Sequence, residues 1–250
     1  MKKTTARNTP AGRLFLIGGA AESCVETFAS LAGGAGANII LIPHATLDAE
    51  ENSQALTARL LELGCGRVST IMPGSELAIT DDVTAVYMLG GDQSRLVELL
   101  GPAGRRALKS FHRRGGLVAG TSAGAACAGK IMITGGMRDG RLIYGALETG
   151  KGLGLIDNVV VDTHFTERGR FNRLVYALSL GRLTGIGLDE DTAVLIDGAG
   201  RSTVFGAGHA NIFAKTKARI LLRTPESGKP FGTTNVRVSS LPGGSTFRLG

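Results

Sequence analysis

Five short apolar runs, alternating with segments of helical character, constrain the fold of this chain more than any other feature. The runs are RLFLI, NIILI, RVSTI, AVYML and GLVAG, and most of them end at glycine or proline. Strands that are apolar throughout and alternate with helices are typical of a parallel sheet covered on both faces. The intervening helices are predicted at ESCVETFASLAG, at residues 49–64, from Ser94, and around 102–114. The pattern therefore predicts an α/β fold built on a mostly parallel sheet.

The second half of the chain carries weaker signals. Residues 130–160 are rich in glycine and are predicted to be irregular, while NVVVDTHF reads as a strand and RFNRLVYALSLG as a helix. The segments TGIGLDEDTAVLIDG and RSTVFGAGHANIFA are predicted to pair as antiparallel strands at one edge of the sheet. We expect one domain over residues 1–250, with a flexible arm at 1–11 and an uncertain tail at 225–250.

Composition excludes several classes of protein. With 43% hydrophobic and 20% charged residues, the chain is an ordinary globular protein. Its net charge of +7 is dispersed and not interleaved with aromatic residues, so no nucleic-acid partner is expected. Three cysteines without metal or redox spacing indicate reduced thiols and a cytoplasmic location. The basic N-terminus leads into an apolar run too short for a signal peptide, and no membrane partner is expected.

Chemically useful residues gather where the predicted strands end. These positions hold Gly18-Gly19, Gly90-Gly91-Asp92-Gln93, Ser122 and Asp162-Thr163-His164. In open parallel sheets, ligands and catalytic groups collect at the carboxyl ends of the strands. The sequence thus predicts a functional site at this edge.

The segment GTSAG, residues 120–124, fits the G-x-S-x-G pattern of a nucleophile elbow. In such an elbow the serine occupies a sharp turn between a strand and a helix, and flanking glycines allow the two elements to approach closely. A small-residue turn without chemistry has the same pattern. The buried run before it and the helix-forming residues after it favour Ser122 as a nucleophile.

A serine nucleophile needs a base, and the base needs a group that orients it. Of the four histidines, His44, His112, His164 and His209, we favour His164, because it ends a buried strand beside polar and charged residues. Glu190 is the preferred acid, since its strand is expected to lie beside that of His164. Asp139 and Asp162 are the alternatives.

A tetrahedral intermediate also needs hydrogen-bond donors for its oxyanion. The backbone amide of Ala123 follows the serine directly, and the amide of Gly91 belongs to a glycine loop at a neighbouring strand end. The alternative interpretation of this loop is a plain turn.

Four motifs together, GTSAGA, LGGDQSRL, DTHFTERGRFNRL and GIGLDEDTA, resemble those of the cyanophycinases. These enzymes belong to the peptidase family that also contains aspartyl dipeptidase. The resemblance covers residues 13 to 213, in the same order and with comparable spacing. It implies a three-layer α/β/α domain, like that of class I glutamine amidotransferases, with antiparallel strands at the edge of the sheet.

The resemblance also implies an activity. It indicates a serine exopeptidase, without metal or cofactor, that cleaves cyanophycin to β-aspartyl-arginine dipeptides, and it implies a homodimer. Cyanophycin is a polyaspartate chain with arginine on each side-chain carboxylate. Ser122, His164 and Glu190, with Asp139 as the other acid, match the catalytic positions. The implied substrate-binding residues are Asp92, Gln93, Asp162, Thr163, Arg168, Arg170 and Arg173.

One position departs from the family pattern. Thr163 stands where the resemblance leads us to expect glutamine, so the pocket loses an amide donor. An aspartyl or isoaspartyl dipeptidase is therefore an alternative, and a non-catalytic binder of aspartate-rich polymers is another. Class I glutamine amidotransferases need cysteine at the elbow. Because Cys127 lies past the turn, this activity is not favoured.

Overall fold

The computed structural model describes residues 12–137, 140–215, 220–221 and 227–249. The predicted arm at residues 1–11 lies outside this part of the chain. The strands are β1 (Arg13–Ile17), β2 (Asn38–Ile42), β3 (Arg67–Thr70), β4 (Ala85–Met88), β5 (Leu117–Thr121), β6 (Ile131–Gly136), β7 (Leu147–Lys151), β8 (Val159–Thr163), β9 (Thr184–Leu188), β10 (Thr192–Ile196), β11 (Arg201–Gly206), β12 (His209–Lys215), β13 (Ile220–Leu221), β14 (Gly232–Thr233), β15 (Val236–Pro242) and β16 (Thr246–Arg248).

The α-helices are α1 (Glu22–Ala32), α2 (Ala49–Glu62), α3 (Gln93–Arg113), α4 (Ala123–Ala126) and α5 (Phe171–Ala177), with 3₁₀ turns at Gly34–Gly36 and Leu178–Leu180. Helix α3 contains a kink at Gly101, where φ is 60° and the next residue is Pro102. Because proline disfavours helical geometry in the residue before it, the two predicted helices of this region meet at that point. None of the helices in the described ranges is both long and apolar enough to cross a membrane.

The main sheet confirms the predicted α/β fold. Its eight strands lie in the order β16-β11-β10-β1-β5-β4-β2-β3. Strands β1 to β5 are parallel to one another, whereas β10, β11 and β16 add antiparallel strands at one end. The carboxyl ends of β1, β4 and β5 therefore lie side by side at one edge.

The late strands are divided between two sheets, which differs from the prediction of one shared edge. Strands β10 and β11 pair in the main sheet, but β8, β9, β12 and β15 form a separate sheet in the order β15-β12-β9-β8. Only three residues separate β9 from β10 along the chain. Both strands are apolar, and a local pattern does not distinguish two sheets that are each buried.

Two further expectations need correction. Residues 130–160 are not irregular, because β6 and β7 pair as an antiparallel hairpin with a bulge between Ile133 and Gly135. Within the tail at 225–250, β15 joins the second sheet and β16 ends the main sheet. Glycine and threonine in β6 and β7 weaken the alternation by which strands are recognised.

Apolar side chains cover both faces of the main sheet. On one face, Phe15 and Ile17 pack with Phe28 of α1 and Leu60 of α2. The opposite face packs against α3, α4 and the second sheet in one continuous cluster. Helix α5 covers the far side of the second sheet, where Leu174 packs with Val160 and Phe213. The second sheet is thus pressed against the main sheet, near the end of β1.

The two glycines of GTSAG allow close backbone packing, of strand β5 against helix α4 at Gly120 and of helix α4 against strand β4 at Gly124. A Cβ atom at Gly120 would lie 2.4 Å from the backbone carbon of Gly124, and one at Gly124 would lie 2.4 Å from the carbonyl oxygen of Met88. Both distances are far below van der Waals contact. The motif is therefore a steric requirement of the fold, apart from any chemistry.

We predict that Gly124→Ala lowers the free energy of unfolding by about 1–3 kcal/mol, the usual cost of overpacking a filled core. Urea denaturation followed by circular dichroism measures the change. The matched control is Gly36→Ala, whose added methyl group meets no atom within 4 Å. This control should change stability by less than about 0.5 kcal/mol. Equal stability of Gly124→Ala and wild type would contradict the steric reading of the motif.

Candidate active site

Ser122 occupies the sharp turn between β5 and α4 and is half-buried. Its backbone has φ 50° and ψ −110°, a region that residues with a side chain rarely adopt. The amide of Ser122 donates to the carbonyl oxygen of Ile17 at 2.9 Å. That hydrogen bond holds the strained turn against the end of β1 and leaves the hydroxyl at the sheet edge.

His164 reaches the same place from the second sheet, not from the main sheet. It follows β8 with φ 47°, and its amide donates to the carbonyl oxygen of Gly18 at 2.9 Å. Its imidazole lies against Gly19, where an added Cβ atom would be 2.2 Å from the ring atom Cε1. A glycine at position 19 is therefore needed to make room for the ring.

The structure brings Ser122, His164 and Glu190 together. The Oγ atom of Ser122 lies 2.8 Å from Nε2 of His164, and Nδ1 of His164 lies 2.6 Å from Oε1 of Glu190. The imidazole is largely buried, with 13% of its surface exposed, whereas Glu190 is 38% exposed. A neutral imidazole with its proton on Nδ1 would donate to Glu190 and accept from Ser122.

Both backbone polar groups of Glu190 form hydrogen bonds with side chains. Its amide donates to Oε1 of Glu167 at 3.1 Å, and its carbonyl oxygen accepts from the hydroxyl of Thr192 at 3.0 Å. Strand β9, which precedes it, lies beside β8, as expected, and runs parallel to it, with Thr163 beside Leu188. Asp139, the alternative acid, lies outside the described residues.

The two candidate oxyanion donors flank Ser122. Ala123 is the first residue of α4, and amides in the first turn of a helix have no acceptor within the helix. On the other side, the glycine loop after β4 approaches closely, since a Cβ atom at Gly90 would lie 3.4 Å from that of Ser122. Gly91 has φ 136° and packs against the carbonyl oxygen of Ala45. Among the described residues, no acceptor is found for the Gly91 amide.

Asp162 binds two arginines that were expected to bind substrate. Arg173 forms a two-pronged ion pair with its carboxylate, with distances of 2.6 and 2.8 Å, and Arg170 donates to the same carboxylate at 3.1 Å. Only 2% of the Asp162 side chain is exposed, against 17% for Arg170 and 13% for Arg173. Burial lowers the pKa of Arg170 below its ordinary value, and Asp162 opposes that shift.

This cluster differs from the expected pocket because an internal carboxylate already occupies the guanidinium groups. It also excludes Asp162 as the acid beside His164 in this arrangement. The cluster instead anchors the segment after β8, since Arg170 additionally donates to the carbonyl oxygen of Thr163 at 2.6 Å. Asp162 and its arginines thus position the turn that carries His164.

The other predicted binding residues have separate roles. Asp92 caps α3 by accepting from the amides of Ser94 and Arg95. Gln93 donates its side-chain amide to the carbonyl oxygen of Ile133 at 2.6 Å. Thr163 is buried, and Arg168 is exposed.

Asp189 contributes to the site although sequence reasoning did not single it out. One carboxylate oxygen accepts from the amide and hydroxyl of Thr166, at 3.1 and 2.7 Å, and the other accepts from the amide of His209 at 3.1 Å. It therefore ties the turn after His164 to strand β12. The run of three acidic residues, Asp189–Asp191, was the sequence feature that pointed to it, but only Glu190 was assigned a role.

Within the described part of the chain, His164 is the one histidine hydrogen-bonded to Ser122 and Glu190. His44 and His112 are buried, and burial lowers the pKa of His112 to about 4. Burial, and then the nearby charge of Arg95, lower the pKa of His44. His209 lies beside Asp189, with Nδ1 3.9 Å from the carboxylate.

Comparison with known proteins identifies relatives of this chain. Residues 14–204 match the sequence profile of Peptidase family S51. A cyanophycinase from Synechococcus elongatus is 30% identical over 217 residues, which cover 80% of this chain and 67% of that protein. A cyanophycinase from Geminocystis herdmanii is 32% identical over 213 residues, covering 76% and 78%, respectively.

Two solved structures share the fold. The crystal structure of a peptidase from an acI-B1 Actinobacterium superposes with a TM-score of 0.61 and 21% identity, covering 97% of this chain and 98% of the other. A putative peptidase E protein from Listeria monocytogenes EGD-e gives a TM-score of 0.57 and 17% identity, covering 78% and 98%.

We predict that Asp162→Asn lowers the free energy of unfolding by about 3 kcal/mol, because it leaves two largely buried guanidinium groups without a counter-charge. Chemical denaturation at neutral pH measures the loss. Asp157→Asn is the matched control, since the ion pair of Asp157 with Lys130 is two-thirds exposed. Exposed pairs contribute at most about 1 kcal/mol. Similar losses in the two variants would contradict the anchoring role of Asp162.

Proposed function

The chain belongs to peptidase family S51 and is a serine-type peptidase, and we propose that it hydrolyses cyanophycin to β-aspartyl-arginine dipeptides. The observation that carries the catalytic part of the proposal is the continuous hydrogen-bonded series from Ser122 through His164 to Glu190. The substrate part rests on the cyanophycinases that are 30–32% identical over most of this chain.

In the proposed acylation step, Oγ of Ser122 attacks the carbonyl carbon of a backbone peptide bond in the polymer. Nε2 of His164 takes the hydroxyl proton, and Glu190 stabilises the resulting imidazolium through Nδ1. The amides of Ala123 and Gly91 hold the oxyanion of the tetrahedral intermediate. The imidazolium then gives its proton to the departing amine, which leaves an acyl ester on Ser122.

Deacylation repeats these roles with water as the nucleophile. His164 takes a proton from water, which attacks the ester, and the proton returns to Oγ of Ser122 as the acid leaves. The strained backbone of Ser122 supports this proposal, because it presents the hydroxyl outward from a rigid turn. The largely buried imidazole supports it as well, since low polarity strengthens charge stabilisation by Glu190.

Substrate recognition in this proposal uses the groups that internal contacts leave available. Arg168 is exposed and takes part in no ion pair within the described part of the chain, so we assign it to a substrate carboxylate. Gln93 keeps its side-chain oxygen as an acceptor, because only its amide nitrogen binds Ile133.

An aspartyl or isoaspartyl dipeptidase is the second candidate function. It is favoured by Thr163, which is buried and offers no amide donor, and by the commitment of Arg170 and Arg173 to Asp162. These residues leave the pocket with fewer side chains that can bind substrate. Such a pocket suits a dipeptide better than a polymer with an arginine on every residue.

Two further expectations accompany the proposal. The described cysteines, Cys24, Cys65 and Cys127, are all free and buried, which is compatible with the proposed cytoplasmic location. That the chain forms a homodimer stays a prediction.

We expect the protein to release β-aspartyl-arginine from cyanophycin, because its carbonyl-attacking serine acts on the aspartate backbone and leaves each side-chain amide intact. Mass spectrometry of the soluble products checks this result. The same assay is run in parallel on α-aspartyl and β-aspartyl dipeptides. Turnover of the dipeptides alone would replace the cyanophycinase assignment with the dipeptidase one.

The matched control for this assay is Ser122→Ala, which should reduce turnover of any substrate by roughly 10⁴-fold or more. Ser75→Ala, at an exposed position away from the site, should retain wild-type turnover. Hydrolysis by Ser122→Ala at the wild-type rate would remove the proposed mechanism.

We predict that Glu190→Gln lowers kcat by roughly 10³-fold or more, because an amide does not stabilise the imidazolium as a carboxylate does. Steady-state kinetics on the substrate identified above measures the loss. Glu167→Gln is the matched control, since the Glu167 carboxylate accepts a hydrogen bond from the backbone amide of Glu190 and does not bind the imidazole of His164, and it should reduce kcat by less than about tenfold.

Asp139→Asn tests the alternative acid in the same assay. If Asp139 completes the triad, this variant loses about as much activity as expected for Glu190→Gln, and Glu190→Gln stays active. That result would reassign the acid while leaving Ser122 and His164 in place.

A further inference from the structure

A cleft of about 630 Å³ lies between helix α3 and the β6–β7 hairpin. Ser94, Val97, Arg105 and Arg106 line it from the helix, and Met132 and Gly150 line it from the hairpin. The proposed function assigns no role to this space.

Two features of the chain keep the cleft open. The kink at Gly101 interrupts α3 in the middle of the cleft wall, and Pro102 prevents the helix from continuing through it. On the opposite wall, Gly150 has no side chain, and a Cβ atom there would lie 3.1 Å from Cε of Met132. The cleft thus results from particular residues and not from loose packing.

One end of the cleft lies beside the candidate active site. The loop that approaches Ser122 at Gly90 leads directly into α3, and Ser94 in the first turn of that helix lines the cleft. Gln93, one residue earlier, binds the hairpin strand next to Met132, through the carbonyl oxygen of Ile133. A chain that leaves Ser122 along α3 therefore enters the cleft within one helical turn.

The charge of the cleft is positive. Arg105 and Arg106 take part in no ion pair within the described ranges. The Nε atom of Arg105 is buried and has no hydrogen-bond partner among the residues described. Glu98 is the one acidic residue among those that line the cleft.

We propose that this cleft is an extended subsite that binds carboxylate groups of the substrate chain at a distance from the bond that is cut. In cyanophycin these are the carboxylates of the attached arginines, and in an unmodified aspartate chain they are those of the aspartate side chains. The inference rests on the proposed function, because it concerns the same substrate class. A guanidinium donates parallel hydrogen bonds to a carboxylate, and the terminal nitrogens of Arg105 and Arg106, which take part in no ion pair within the described ranges, supply these donors. The apolar floor of Val97, Pro102 and Met132 accommodates the methylene groups of the chain.

Binding is measured separately from catalysis, in protein carrying Ser122→Ala, by fluorescence anisotropy of labelled poly-L-aspartate. In that background, Arg105→Gln with Arg106→Gln should raise Kd by about tenfold, the sum expected for two partly exposed ionic contacts. Glu98→Gln should lower Kd, since it removes the opposing charge. Added salt should weaken the first effect, because it screens charges near the surface.

Arg113→Gln is the matched control. It makes the same change on the same helix, but Arg113 is exposed and does not line the cleft. Its Kd should equal that of the parent protein. Since Arg105 is partly buried, Arg106→Gln is also measured alone, and thermal melting of each variant checks that it is folded.

In the active protein, the double arginine variant should raise KM for cyanophycin by about tenfold. It should leave kcat/KM for an aspartyl dipeptide unchanged, because a dipeptide does not reach the cleft. The proposal would be overturned if the folded double variant bound poly-L-aspartate with the Kd of the parent protein. It would also be overturned if the parent protein bound an oligonucleotide of the same charge as tightly as it binds poly-L-aspartate. Binding that depends on the arginines, in a wild-type protein that hydrolyses no aspartyl substrate, would retain the cleft and overturn the proposed function.

Discussion

The backbone contact at the glycine turn after β1 is the constraint on which the site depends. Gly18 accepts from the amide of His164, and Gly19 accepts from the amide of Asp191, at 2.9 and 2.8 Å. The imidazole of His164 fills the space that a side chain at position 19 would occupy. One turn therefore joins the main sheet to the second sheet and sets the distance between the serine of one and the histidine of the other.

Strain and its compensation recur around that turn. Ser122, His164 and Asp191 all have positive φ values, between 44° and 50°, a conformation that costs of order 1–3 kcal/mol for each residue. Each is held by a hydrogen bond from its own amide to a residue of β1 or of the glycine turn that follows it. The buried ion pairs of Asp162 add a second anchor behind His164. Such a frame holds reacting groups in place before a substrate arrives, which is what preorganised catalysis requires.

Much of the fold was predictable from local pattern, because buried parallel strands have a composition that short windows reveal. All five early strands follow the prediction, and the two helices predicted before β5 meet at the kink of α3. The β6–β7 hairpin does not, since its glycines and threonines hide the alternation. The division of β9 and β10 between two sheets was also not predictable from local pattern, because only three residues connect two equally apolar strands.

For the candidate site, the sequence by itself determined the elbow at Ser122, because adjacent glycines and a buried strand impose that turn locally through steric exclusion. It also indicated which histidine and which acid end neighbouring strands. Only the tertiary structure decided that the histidine approaches from a second sheet, and that Asp162 forms ion pairs with Arg170 and Arg173. Contacts of this kind depend on how whole layers pack and on which charges are buried together, and neither is encoded within a short stretch of residues.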